Sequence, residues 1–239
     1  MFRVVLFVRG ADSSYYTDLL LVQHYSYLYI VQCVHCISMS DFLNDLSTVV
    51  SNDLLSDLNF TDNTIDEFNH RISGDNRIND LTVFHMNIRS LNKNRSKLYN
   101  LLHSLDLTFD VIVLSEIWNC NLDLCNNLFE GYTFFFDVPP DTVVGGVGIY
   151  VRNCFSCNVL NAYKMESTVK NRVENIWVEI LSAKHKYTLG AIYRHPNQNI
   201  SDFSRLLDST LCRLDNSRDP CIIVGDLNIF NSWSNKGLY

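Results

Sequence analysis

The stretch Cys221 to Asn228, CIIVGDLN, decides the fold of this chain. Its four leading apolar residues predict a strand that is buried on both faces. At the end of that strand Gly225 frees the backbone, while Asp226 and Asn228 supply a carboxylate and a carboxamide. Hard oxygen ligands at the carboxyl end of a buried strand suit Mg²⁺ and phosphate chemistry. Because Asp and Asn after Gly are also ordinary turn residues, the preceding segments must decide between these two interpretations.

A strand, helix, strand unit lies upstream of this stretch. The segments LTVFHMN (81–87) and FDVIVLSE (109–116) are strand candidates, and leucines at helical spacing predict a helix over 90–105. The two strands deliver Asn87 and Glu116 at their carboxyl ends. Active sites of layered α/β folds favour that edge of the sheet.

The middle of the chain is mostly strand-forming. We predict a short helix near 122–128, an amphipathic helix over 199–214, and strands at 131–137, 145–153, 174–181 and 186–196. The glycines of GGVGIYV (145–151) precede a strand and not a helix. They therefore indicate turn positions of close approach, not a nucleotide-binding loop.

The acidic residues are concentrated near the start of the chain. Residues 1–80 hold four Arg against eleven Asp and Glu and account for the whole net charge of −7, while residues 81–239 hold fifteen residues of each sign. We therefore predict an acidic, partly disordered leader over 1–80, with a short helix at 41–58, followed by one domain over 81–239. A neutral domain does not exclude a DNA partner, because local basic patches matter more than the sum.

The leader also contains an uncharged apolar stretch at 19–37. It is long enough to span a bilayer, but Gln, His and Ser residues interrupt it, so membrane association is possible but not favoured. The eight cysteines, without a convincing signal peptide, favour free thiols in a reducing compartment. We expect a nuclear or cytoplasmic protein.

Five segments in order carry a resemblance to a known family: HMNIRSL (85–91), VIVLSEIW (111–118), GGVGIYV (145–151), LGAIYRHP (189–196) and IIVGDLN (222–228). Together they resemble the endonuclease/exonuclease/phosphatase superfamily, and most of all the apurinic-type endonuclease domain of non-LTR (LINE-like) retrotransposons. The resemblance implies an α/β (α+β) fold, a four-layer sandwich of two mixed β-sheets flanked by helices. It also implies Mg²⁺-dependent (or Mn²⁺-dependent) hydrolysis of phosphodiester bonds in DNA.

The resemblance assigns roles to five residues. Glu116 would bind the divalent metal, and Asn87 would complete the hydrogen-bonded metal site. Asp226 would take a proton from the attacking water, and Asn228 would orient that carboxylate or the phosphate. Tyr193 would hold a phosphate oxygen. An anionic reaction centre needs a cation and hydrogen-bond donors, together with one carboxylate that is free to act as base.

Several of these residues have a structural alternative. Asn87 could cap the helix that begins near Ser90, and Glu116 could be a solvated strand end. Tyr193 on its own would more often be a core aromatic with a wet hydroxyl. Arg152 and Arg194 lie beside motif ends, so we predict that they contact the substrate phosphate.

One part of the family's pattern has no counterpart in this sequence. The superfamily ends in a Ser-Asp-His motif that stabilises the phosphate during reaction, whereas all seven histidines here precede the GDLN strand. We therefore expect a domain without its C-terminal portion, with an exposed edge on the second sheet and with impaired or no activity.

Two other functions fit the same residues. The superfamily also includes phosphomonoesterases and phosphodiesterases that act on phosphoinositides and lipids. Alternatively, the domain is a non-catalytic remnant that binds nucleic acid.

Overall fold

The structure is a computed structural model. It describes residues 6–8, 22–24, 27–29, 66, 69–70, 81–139, 143–166, 172–183, 186–214 and 221–228. The short helix expected at 41–58 and most of the apolar stretch at 19–37 lie outside the described residues.

The first sheet is mixed and has five strands. Its members are β1 (Leu6–Val8), β4 (Leu81–Asn87), β5 (Val111–Ser115), β6 (Tyr132–Asp137) and β7 (Val147–Arg152). They lie in the order β1-β4-β5-β7-β6. The central strands β4 and β5 are parallel, so both carboxyl ends lie at the same edge, and the other neighbours are antiparallel.

The second sheet is also mixed and has four strands. It consists of β8 (Ser156–Val159), β9 (Val173–Leu181), β10 (Lys186–Arg194) and β11 (Cys221–Asp226). The order is β11-β10-β9-β8, with β10 and β11 parallel and the remaining pairs antiparallel. A separate hairpin joins β2 (Val22–His24) to β3 (Tyr27–Tyr29).

Helices cover the outer face of each sheet. They are α1 (Leu91–His103), α2 (Leu122–Asn126), a 3-10 helix (Asn161–Tyr163) and α3 (Ile200–Leu214). Leu91, Leu98 and Leu101 of α1 pack with apolar residues of β4 and β5 on the first sheet. Phe203 and Leu207 of α3 pack with residues of β9 and β11 on the second sheet. The predicted four-layer α/β sandwich is therefore confirmed.

Alternating side chains of both sheets fill the layer between them. Val83, Val113, Leu189 and Val224 belong to this apolar cluster. Because successive side chains of a strand point to opposite faces, residues two positions further along point into the same layer. At the carboxyl ends of β4, β5 and β11, the side chains that point into this layer are therefore polar.

Some elements differ from the predicted ones. Strand β8 and the 3-10 helix were not predicted. The sequence of β8, SCNV, shows no apolar alternation that would indicate a strand, and in the structure the strand is mostly exposed. It is a strand because its backbone pairs with β9. The predicted helix over 90–105 begins at Leu91, since Ser90 is its N-cap and accepts a hydrogen bond from the Lys93 backbone amide.

The leader contributes backbone to the described fold. Strand β1 pairs with β4, and β3 lies in contact with β11. All six residues of β11 are buried, so the expectation of an exposed edge on the second sheet is wrong for this strand. The domain boundary at residue 80 stays a prediction.

No described helix is both long enough and apolar enough to cross a membrane.

A buried histidine lies directly beneath the polar end of the layer. His85 is 0% exposed, and its Nε2 lies 2.8 Å from Ser115 Oγ. Burial lowers the pKa of His85 from 6.5 to about 3. The unfolded chain therefore takes up this proton below about pH 6.5, whereas the folded chain does not until about pH 3.

We expect acid to destabilise the fold through His85. As the pH falls below 6.5, this residue should remove up to about 1.4 kcal/mol of unfolding free energy per pH unit. Urea unfolding at pH 7.5, 6.5, 5.5 and 5.0 measures the slope, and the slopes of wild type and His85→Gln should differ by this amount, with wild type losing more stability on acidification. His103→Gln removes an exposed imidazole and should leave the slope unchanged. Equal slopes in wild type and His85→Gln would contradict this account.

Candidate active site

The polar ends of four strands meet at one edge of the sandwich. In the first sheet, Asn87 at the end of β4 pairs in register with Ser115 at the end of β5. In the second, Tyr193 of β10 pairs with Asp226 of β11. Since each pair is parallel and the two sheets face each other, all of these ends lie around the mouth of the inter-sheet layer.

The side chain of Asn87 joins the two sheets. Its Nδ2 donates to Glu116 Oε1 at 2.8 Å and to Asp226 Oδ2 at 2.8 Å. Its Oδ1 accepts the backbone N–H of Arg89 at 3.2 Å, which fixes the orientation of the amide. The structure thus brings together three of the residues that the sequence singled out.

Glu116 is presented by a strained loop after β5. Its φ is 54°, a left-handed conformation that is uncommon for a residue with a side chain. The loop is held in place because the Glu116 carbonyl accepts the Ser90 backbone amide at 2.8 Å. Residues in such conformations persist only where their surroundings fix them, and they concentrate at functional sites.

Asp226 depends on the glycine before it. A Cβ on Gly225 would lie 1.8 Å from the Ile192 carbonyl oxygen, so only glycine lets β11 approach β10 this closely. Asp226 is 0% exposed and accepts the backbone amide of Asn228 at 3.3 Å. Asn228 in turn donates its Nδ2 to the carbonyl of Arg194 at 2.7 Å. Asn228 therefore ties the end of β11 to the end of β10.

Burial raises the pKa of Asp226 to about 7, and the nearby charge of Glu116 adds to the increase. The hydrogen bond from Asn87 opposes it. Asp226 is thus a carboxylate whose proton affinity matches neutral pH, as a general base requires.

Arg194 does not face the mouth of the site. It is 1% exposed, and its Nε donates to the Leu227 carbonyl at 2.6 Å. Its terminal nitrogens donate to the carbonyls of Gln198 at 2.6 Å, His195 at 3.2 Å and Asn228. The guanidinium is occupied by the backbone around Asp226, so the predicted phosphate contact gives way to a structural role.

Arg152 lies at the wrong end of its sheet. Strand β7 runs antiparallel to β5, so Val147 pairs with Ser115 at the site whereas Val151 pairs with Val111 at the opposite edge. There Arg152 forms an ion pair with Asp110 at 3.1 Å. The prediction that Arg152 contacts the substrate phosphate did not take the direction of β7 into account. The glycines at the start of the motif GGVGIYV lie near the site, whereas Arg152, which follows the motif, lies far from it.

Tyr193 stands next to Asp226 in the second sheet. It is 5% exposed and belongs to the inter-sheet cluster. Its ring packs against that of His195 with centroids 4.9 Å apart. A phosphate contact for its hydroxyl stays a prediction.

Glu174 and His195 form a polar pair that the sequence reading missed. The Nε2 of His195 lies 3.1 Å from Glu174 Oε1 and 3.0 Å from Oε2, and the Glu174 side chain is 4% exposed. A signal for this pair was present. Residues 174–181 and 186–196 form an antiparallel hairpin, which places the first residue of one strand beside the last residues of the other.

The donor set fits a hard divalent cation. Two carboxylates share a single amide donor, and part of the increase in the Asp226 pKa comes from the charge of Glu116. A cation would offset this repulsion, and oxygen donors are what Mg²⁺ and Mn²⁺ prefer. Among the described residues, no three His, Cys, Asp or Glu side chains converge as a metal cluster. Any ion would therefore rely on Glu116 together with amide oxygens, water or substrate.

We expect Gly225→Ala to unfold or strongly destabilise the domain. The added Cβ meets backbone, which cannot move aside, so the loss should be at least about 3 kcal/mol by urea unfolding. Gly131→Ala is the matched control, because Gly131 also has a positive φ, of 80°, but no atom lies within 4 Å of the added Cβ. It should cost about 1 to 2 kcal/mol. A smaller loss for Gly225→Ala than for Gly131→Ala would contradict the close approach.

Substitutions of Arg194 and of Arg152 should lower the unfolding free energy, measured with urea, by different amounts. Arg194→Lys keeps the charge but loses the fork that reaches four carbonyls, and we expect a loss of roughly 2 to 4 kcal/mol in unfolding free energy. Arg152→Gln breaks an ion pair whose arginine is 40% exposed, and it should cost less than about 1 kcal/mol. Equal losses would argue against a structural role for Arg194.

Comparisons with known proteins support the fold described above. The model of the Endonuclease/Exonuclease/phosphatase family matches residues 85–237, well over half of the chain. No curated protein matches the chain. Among solved structures, TDP2 from Caenorhabditis elegans has a TM-score of 0.50 and 14% identity, over 93% of this chain and 74% of that one.

Two further solved structures are also similar to the chain. The endonuclease domain of TRAS1, a telomere-specific non-LTR retrotransposon, has a TM-score of 0.43 and 16% identity, over 63% of this chain and 62% of that one. The mannosyl-6-phosphatase Bt3783 from Bacteroides thetaiotaomicron has a TM-score of 0.41 and 14% identity, over 62% of this chain and 65% of that one. The chain thus spans less than two thirds of the length of both proteins. By its family match and its fold, the chain belongs to the endonuclease/exonuclease/phosphatase family.

Proposed function

We propose that this domain hydrolyses phosphodiester bonds in DNA with the help of a divalent metal ion, as a retrotransposon-type endonuclease. The observation that carries the proposal is the junction at which Asn87 holds Glu116 and Asp226 together, with 2.8 Å to each carboxylate. One carboxylate is half-buried and the other fully buried, so the two are suited to different tasks.

Asp226 is the residue we assign to proton transfer. With a pKa of about 7, it is ionised often enough at neutral pH to accept a proton from an attacking water. The backbone amide of Asn228 and the side chain of Asn87 each bind one of its oxygens. These bonds hold the carboxylate in one orientation, which is the condition for efficient general base catalysis.

Glu116 is the residue we assign to the metal. Its carboxylate lies at the mouth of the layer, and only one of its oxygens is engaged by Asn87. A bound Mg²⁺ or Mn²⁺ ion would supply positive charge to the phosphate. The role of Asn87 is then to keep the base and the metal-binding carboxylate at a fixed separation.

DNA is the substrate that the sequence motifs favour. The segments that carry Asn87, Glu116 and Asp226 resemble the retrotransposon branch, and TRAS1 is itself described as an endonuclease of a non-LTR retrotransposon. A DNA substrate is consistent with a nuclear or cytoplasmic location. A lipid or phosphoinositide substrate, and binding without cleavage, are the alternatives that the experiment must separate.

Plasmid nicking under single-turnover conditions tests the proposal. We expect the purified chain, in excess over supercoiled DNA, to nick it with Mg²⁺ or Mn²⁺ and not with EDTA. Asp226→Asn should slow nicking at least about 100-fold because it removes the base. Asp106→Asn changes an exposed carboxylate and should leave the rate unchanged.

Three results would contradict the proposal. Nicking that survives Asp226→Asn would show that these residues do not catalyse it. Hydrolysis of inositol polyphosphate without cleavage of DNA would assign the site to the phosphoinositide branch. Salt-sensitive DNA binding without cleavage would identify a binding remnant.

A further inference from the structure

Within the second sheet, the Glu174 and His195 pair lies on the other side of Tyr193 from Asp226. Glu174 pairs in register with Tyr193, which pairs with Asp226, so the three residues form one row across three adjacent strands. Strand spacing puts Glu174 about 10 Å from Asp226 along this row. His195 follows β10 directly and is held between the Glu174 carboxylate and the Tyr193 ring.

This pair lies close to a glycine in the loop that precedes β7. A Cβ on Gly145 would lie 3.0 Å from His195 Nε2 and 3.1 Å from Glu174 Oε2. Gly145 also has a φ of 101°, which side chains disfavour. The loop that precedes β7 therefore passes close to the pair, and a side chain at position 145 would be tight against both His195 and Glu174.

The contact continues to the loop that carries Glu116. The Gly145 carbonyl accepts the backbone amide of Trp118 at 2.8 Å, and the Gly146 carbonyl accepts that of Ile117 at 3.4 Å. Both Glu116 and Trp118 have left-handed backbone conformations, with φ of 54° and 60°. Such conformations cost about 1 to 3 kcal/mol each and need support from their neighbours.

We propose that Glu174 and His195 are positioning residues, which act through Gly145 to fix the Glu116 loop and thereby set the metal affinity of the site. The inference rests on the proposed function, because it takes Glu116 to be the metal-binding carboxylate. The pair itself does not bind the metal. It supplies a rigid polar support against which the loop is held.

Calorimetric titration of the full chain with Mn²⁺, at a temperature well below unfolding, tests this proposal. His195→Ala removes the support and should weaken Mn²⁺ binding roughly tenfold, a typical effect of losing an outer partner of a metal site. His195→Gln should recover most of the affinity, because its amide can still donate to Glu174. Gly145→Ala should weaken binding to a similar extent, although it deletes no polar group.

A second ion pair on the same two strands provides the control. Lys186 Nζ lies 2.8 Å from Glu179 Oε2 at the other end of β9 and β10. Glu179→Gln should leave the Mn²⁺ affinity unchanged, even if it lowers the melting temperature.

The outcomes separate this inference from the proposed function. A wild-type chain that binds no Mn²⁺ would overturn the metal site and with it the proposed function. Wild-type binding that is abolished by Glu116→Gln, yet unchanged in both His195→Ala and Gly145→Ala, would overturn the positioning role alone. An equal loss in Glu179→Gln would also overturn it, since the effect would then follow general stability.

Discussion

One amide group joins the two halves of this fold at the point where its chemistry would occur. The Nδ2 of Asn87 donates to Glu116 in its own sheet and to Asp226 in the other, 139 residues further along the chain. Two carboxylates that approach one donor repel each other, and burying them is costly. The apolar layer beneath must therefore hold the sheets together, because the polar junction alone would favour their separation.

The surrounding backbone shows how closely this junction is specified. Among the described residues, the left-handed positions other than glycine are Arg89, Ser90, Glu116, Trp118 and Asn228. All of them lie in the loops that follow β4, β5 and β11, at the edge that carries the polar residues. Regular strands bury the core, and the strain is confined to the segments that present functional groups. This distribution is typical of a site that is held in one geometry by a rigid scaffold.

Much of this was predictable from the sequence, for a physical reason. Strands buried on both faces appear as apolar runs, and the residue after such a run lies at the sheet edge, so Asn87, Glu116 and Asp226 could be grouped without coordinates. The direction of β7 and the burial of Arg194 could not be read in this way. Periodicity reports which face of a strand is buried, but not which end of it reaches the site.

A charged side chain is by default expected in solvent, so the sequence did not indicate that Arg194 is buried and bound by four carbonyls. Strand β8 escaped for a similar reason, because its pairing with β9 and not its composition makes it a strand.

The central claim is that the Glu116, Asn87 and Asp226 junction is the place where a divalent cation binds. A crystal structure of the chain grown with Mn²⁺, with data collected on both sides of the manganese absorption edge, measures this most directly. The account predicts an anomalous peak within about 2 to 2.5 Å of a Glu116 carboxylate oxygen, a usual metal to oxygen distance. An ordered junction without a peak, or a peak bound by other residues, would contradict it.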